Sequence, residues 1–148
     1  MLLLPFLGST LDKVEKWMKN MALKGITRDE EKSMLFVNFK IDDKFFLVQT
    51  LVSKEWINIK ALVALLKDIP KTAREDLFYN CLVANFNLHE VTYSADANGI
   101  WVEADMPVDT TESNFKVEFQ SVVFGMKYFI EQIAPKAKFD IKDTTMFT

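Results

Sequence analysis

The chain holds one cysteine and one histidine, Cys81 and His89, a short way apart. A thiol and an imidazole form a nucleophile–base pair when a fold brings them within hydrogen-bond reach. The spacing around Cys81 puts it on the apolar stripe of a helix, where a small buried hydrophobe is the simpler role. His89 falls at the core-facing parity of a strand, where a structural, hydrogen-bonded histidine is the simpler role. No oxyanion motif accompanies them. A second constellation is Glu90, Glu103 and Asp105, on one face of a hairpin with Glu90 expected opposite Asp105. Paired carboxylates hold hard cations or do acid–base work. Their spacing matches no cation-binding loop, and strand positions facing water are commonly acidic, so a solvated face is expected.

Four glycines in the whole chain leave no Gly-rich phosphate loop. One cysteine and one histidine exclude an internal disulfide, a multi-cysteine zinc site and a histidine triad. The expectation is therefore no catalytic residue, no metal and no cofactor. A lone cysteine also fits a reducing, cytoplasmic compartment.

Any function must then come from surfaces, and the composition favours a chain that builds them. Of 148 residues, 49% are hydrophobic and 13 are Phe, while the net charge is only −3. Disorder needs the opposite balance, so one domain with a single core is expected. The 18 basic residues are interleaved with 21 acidic ones, as in Lys13-Val14-Glu15-Lys16. Without a basic excess or stripe, nucleic acid is not the expected ligand. The apolar start, Met1 to Gly8, lacks a basic flank, is interrupted by Pro5 and is far shorter than the ~20 residues that span a bilayer. It is expected to dock on the fold or on a partner.

Periodicity orders the rest. Leu11, Val14, Trp17, Met18 and Met21 recur at helical spacing, which predicts a helix over 10–24, capped by Ser9 or Thr10. A charged link spans 27–32. Period two then takes over: Leu35, Val37, Phe39 and Ile41, a turn at Asp42-Asp43, and Phe46, Val48 and Thr50 returning. This register sets Phe39 against Phe46 and Val37 against Val48. A short strand is expected over 56–59. After Pro70 a second helix carries Leu77, Phe78, Cys81, Leu82 and Phe86 on its apolar face. A second hairpin, 89–95 and 100–106, turns at Asp96-Ala97-Asn98-Gly99. Thr110 or Thr111 starts a long closing helix bearing Phe115, Phe119, Val122, Val123, Met126, Phe129 and Ile133, which Pro135 ends. The order α-β-β-β-α-β-β-α defines an α+β domain over 10–135, with an apolar segment at 1–9 and a polar, mobile tail at 136–148.

This order, and above all Leu77 to Ile130, resembles the type III secretion chaperone-like fold, which secretion chaperones share with the YbjN-like proteins. The resemblance rests on the helix ending Cys81-Leu82-Val83-Ala84-Asn85-Phe86-Asn87, the turn at Asp96-Ala97-Asn98-Gly99 and the strand Ile100-Trp101-Val102-Glu103-Ala104. The Met106-Pro107 break and the long closing helix complete it. It implies an antiparallel sheet packed by helices, in a small acidic homodimer that binds a partner polypeptide.

Surplus apolar residues point the same way. Phe36, Phe45, Leu47 and Trp101 fall on strand faces that one layer of helices leaves to solvent. Phe119 and Val123 belong to a closing-helix stripe broader than the usual ~100°. Large contiguous apolar patches are rare on monomers. These six are the expected partner or dimer surface of a non-enzymatic, chaperone-like module. The alternatives are a small enzyme using Cys81, His89 or the Glu103/Asp105 pair, and an assembly subunit that docks on a folded partner.

Overall fold

A computed structural model describes residues 3–145. Six strands form one antiparallel sheet, and three helices cover one of its faces. In chain order the elements are α1 (Leu3–Asn20), β1 (Thr27–Asp29), β2 (Met34–Ile41), β3 (Lys44–Val52) and β4 (Trp56–Leu65). They continue with α2 (Lys71–Asn87), β5 (Thr92–Ala95), β6 (Gly99–Pro107) and α3 (Glu112–Tyr128). The strands lie in the order β1-β2-β3-β4-β6-β5. The α+β architecture expected from the sequence is the observed one.

The β2–β3 hairpin adopts the expected register, Phe39 against Phe46 and Val37 against Val48. Asp42 takes the left-handed conformation its turn needs (φ 56°). Leu35, Val37, Phe46, Val48, Ile57, Ile59, Ala61, Val102 and Met106 face the helices and are buried with Trp17, Met18, Leu77, Phe115, Phe119 and Met126. Thr111 caps α3, its side chain accepting from the Asn114 amide at 3.1 Å.

Several elements depart from expectation. α1 starts at Leu3, so Ser9 and Thr10 lie inside the helix and cap nothing; Ala22, left-handed at φ 62°, follows its end. Part of the charged link is the edge strand β1. Arg28 ties it to α1, its Nη1 2.6 Å from Asp12 Oδ1 and 2.9 Å from Glu15 Oε1, with its Nε 2.7 Å from Glu30 Oε1. The Arg28 bond holds the Glu15 carboxyl below its usual range. The short strand at 56–59 is ten residues long, because the apolar run through Leu65 continues it as a central strand. A register shift between Leu62 and Ala64 breaks its parity. Val63 and Ala64 join the main core, while Leu62 and Leu65 turn to the opposite face.

The expected tail, 136–148, is not free over 136–145, its last three residues lying outside the described ones. Phe139 is buried in the main core, and Asp143-Thr144 lies against β3 and β4. β3 and β4 pair only as far as Val48 against Ala61, and Thr144 fills the opening beyond. Its hydroxyl donates to the Leu62 carbonyl (2.6 Å) and accepts the Leu47 amide (3.1 Å). Its own amide donates to the Phe45 carbonyl (2.9 Å), and the Asp143 carboxylate accepts the Phe45 amide (2.9 Å). The buried polar groups of two diverging strands demand partners, and a polar tail supplies them.

At the far end of β4 the backbone of Gly99 presses on Ala64. A Cβ there would lie 1.9 Å from the Ala64 carbonyl oxygen, and Gly99 sits at φ +156°. Gly99→Ala is expected to cost more than about 3 kcal/mol, because the clash is with backbone and cannot be relieved by a rotamer. Urea denaturation of the variant measures it; a change below 1 kcal/mol, roughly that of a tolerated surface substitution, would mean that the contact yields.

Candidate functional site

The thiol and the imidazole are not brought together. Cys81 is buried on the core side of α2, and burial pushes its thiol up to about 12. His89 is exposed in the link before β5, not core-facing as expected, and lines a surface hollow with Val91, Val117, Gln120, Ser121 and Phe124. β5 begins only at Thr92, opposite Glu103, so Glu90 does not reach Asp105. Glu90 adopts a left-handed backbone (φ 65°) and leaves the ladder. Its carboxylate instead meets Glu118 of α3, whose own carboxyl is raised, first by burial and then by Glu90.

Glu103 and Asp105 do share the outer face of β6, bridged by Asn58. Its Nδ2 donates to Asp105 Oδ1 (2.6 Å) and to Glu103 Oε1 (3.3 Å), and Ser94 donates to the other oxygen of Glu103. Neutral donors satisfy this pair. Among the described residues, no group of three or more His, Cys, Asp or Glu is placed to hold a metal ion.

The expected apolar surface is largely buried instead. Leu47 and Trp101 form a second cluster with Leu62, Leu65 and the half-buried Phe36 on the sheet face away from the helices. The Trp101 indole donates to Asp96 at 2.8 Å, and Thr144 grips the backbone of Leu47 and Leu62. Phe119 is buried in the main core. Phe45 is 41% exposed, and Val123 is half-buried at the rim of a groove. Parity gave the correct face for each strand residue but could not reveal the cover.

Part of the exposed apolar surface lies on α2, where helical spacing predicts core for Leu82 and Phe86. On α2, Tyr79, Leu82, Val83 and Phe86 form one stripe, with Leu82 67% and Phe86 90% exposed. The buried face of α2 is narrower than expected: Ala73, Leu77, Cys81 and Ala84.

A second feature is the outer edge of β2. β1 pairs only with Met34 to Phe36. Along β3 the amides of Phe45 and Leu47 point away from β2, toward Asp143 and Thr144. Phe46 and Val48 therefore address β2, through Phe39 and Val37. The N–H and C=O groups of Asn38 and Lys40 then face outward, past the end of β1. Hollows flank this edge on both faces of the sheet. One, of about 520 Å³, is lined by Phe36, Asn38, Leu47 and the charged run Arg28 to Lys32. The other, of about 390 Å³, is lined by Met21, Leu23, Phe39, Phe119, Val123 and Phe124.

The fold as a whole is similar to chains of two solved complexes. Over 83% of this chain and 95% of the other, it superposes on a chain of the ExsC–ExsE complex at TM-score 0.61 and 14% identity. Over 86% and 94%, it superposes on a chain of the HopA1–SchA chaperone–effector complex at 0.55 and 16%. The fold is type III secretion chaperone-like. No protein-family profile matches the chain, and no curated protein matches it either. Within the chaperone-like fold, no helix among the described residues is long and apolar enough to cross a membrane.

The buried, protonated Cys81 is expected to react with a disulfide reagent such as dithionitrobenzoate only after denaturation. Stoichiometric reaction of the native chain within minutes would reopen a nucleophile role.

Proposed function

We propose that the chain is a non-enzymatic, chaperone-like protein-binding module, cytoplasmic and homodimeric, which holds a partner polypeptide in extended form. The observation that carries this reading is the edge of β2, which no strand among the described residues pairs beyond Phe36. An added strand would pair with the outward groups of Asn38 and Lys40, and its alternate side chains would point to opposite sheet faces. Each face offers a hollow at that edge: apolar on the helix side, mixed apolar and charged on the other. Backbone pairing supplies affinity with little regard to sequence, and the hollows supply the preference. Similarity to chains of two complexes, one a chaperone–effector complex, supports the same reading.

Self-association is assigned to α2. Tyr79, Leu82, Val83 and Phe86 recur at the i, i+3, i+4, i+7 spacing of a helix–helix contact. Aromatic residues dominate the cores of such interfaces, and a stripe this exposed is costly to leave in water. The alternatives weighed from the sequence receive less support. An enzyme using Cys81 and His89 would need a pair that the fold separates, and Glu103 with Asp105 is engaged by Asn58 and Ser94.

Two substitutions test the halves separately. Lys40→Pro removes an outward amide at an edge position, where proline is tolerated. Selection from a random peptide display library is expected to enrich extended sequences with alternating apolar residues on the native chain and not on this variant. Equal enrichment on both would overturn the edge reading. Phe86→Asp is expected to convert a dimer into a monomer by light scattering at micromolar concentration; a native chain that is already monomeric would overturn the α2 assignment.

A further inference from the structure

A second set of outward backbone groups lies in the opening between β3 and β4, and residues 143 and 144 fill it. Beyond Val48 and Ala61 the two strands part, leaving the Leu47 amide, the Leu62 carbonyl and both backbone groups of Phe45 to be satisfied from outside the sheet. Asp143 and Thr144 satisfy all four. The recognition is made by a carboxylate, a hydroxyl and one backbone amide in sequence. Beneath it lies the separate apolar cluster of Leu47, Leu62, Leu65 and Trp101.

Open space borders this strap on both sides. The Leu47 side chain lines the hollow at the β2 edge. On the other side, Asp143 and Thr145 face Leu65, Lys67, Ala97 and Asn98 across a hollow of about 510 Å³. Phe139 anchors the start of the tail in the main core, whereas Lys142 and Asp143 are exposed and Thr144 alone is deeply buried. Moving residues 142–145 therefore disturbs no part of the main core.

The geometry points to residues 142–145 as an exchangeable internal ligand: they occupy the β3–β4 opening in place of an extended partner segment bearing an Asp-Thr or similar carboxylate–hydroxyl pair. Release of the strap would continue the groove from the β2-edge hollow across Leu47 to Leu62. The inference rests on the reading of the chain as a binder of extended polypeptide, and it adds how access to that groove is limited.

The test uses the full chain and a fluorescent synthetic peptide with the sequence from Lys138 to Thr145, followed by anisotropy. Thr144→Val weakens the internal competitor by removing two hydrogen bonds, so this variant is expected to bind the peptide at least about ten-fold tighter than the native chain. The same peptide with Val in place of its first Thr is expected to compete poorly. Equal binding by native and variant chains, or binding by neither, would overturn the proposal. Should Thr144→Val fail to fold, Asp143→Ala decides by the same comparison, with a gain of roughly five-fold expected for one lost bond. The Lys40→Pro chain is expected to bind this peptide as the native chain does, so failure here is distinguishable from failure of the β2-edge reading.

Discussion

The approach of Gly99 to the Ala64 carbonyl is the constraint on which the two halves of the sheet depend. With no side chain at Gly99, the β5–β6 turn closes tightly on β4, and the Leu66 amide donates to the Asn98 carbonyl at 2.8 Å. Nearby, β4 sets two residues, Leu62 and Val63, against Trp101 alone. That extra residue turns Val63 and Ala64 into the main core and sends Leu62 and Leu65 to the other face. A β-bulge also bends its strand. Here it coincides with the point where β4 ceases to pair with β3.

The consequences spread from that divergence. A wide, fully paired sheet would have needed no tail, and its outer face would have left Leu47 and Trp101 in water. Instead the parted strands present polar groups that must be satisfied, and Asp143-Thr144 satisfies them beside a small second core. At the β1 edge of the sheet, Arg28 holds β1 against α1 through Asp12 and Glu15. β1 remains short and β2 only half covered. The gap inside the sheet, between β3 and β4, is thus closed by the chain's own residues 143 and 144, whereas the edge at β2 lies between two hollows.

Much of this was legible in the residues. The period-two series Leu35, Val37, Phe39, Ile41 and Phe46, Val48, Thr50 falls on one side of the hairpin when the Asp42-Asp43 turn sets its phase, even though Phe36, Phe45 and Leu47 interrupt the alternation. Helical spacing located α2 and α3, and Thr111 marked the start of α3. Two errors came from continuing a pattern too far. Leu82 and Phe86 follow Leu77 and Cys81 at helical spacing, but only one narrow face of α2 meets the sheet. Glu90 would have faced Asp105 had the strand continued, but its backbone is left-handed.

Which residues share a face, and in what order the elements run, can be read from the residues alone because both follow from local geometry: two residues per strand repeat and 3.6 per helical turn. Which faces stay covered is set by long-range packing. Burial depends on what arrives from distant parts of the chain. Leu47 and Trp101 lie where sequence parity places them, yet a polar tail nearly a hundred residues from Leu47 (|i−j| of 97) closes over that side of the sheet. Leu82 and Phe86 read as core in the sequence, yet they lie on the surface in a stripe with Tyr79 and Val83, because only the other face of α2 meets the described part of the fold.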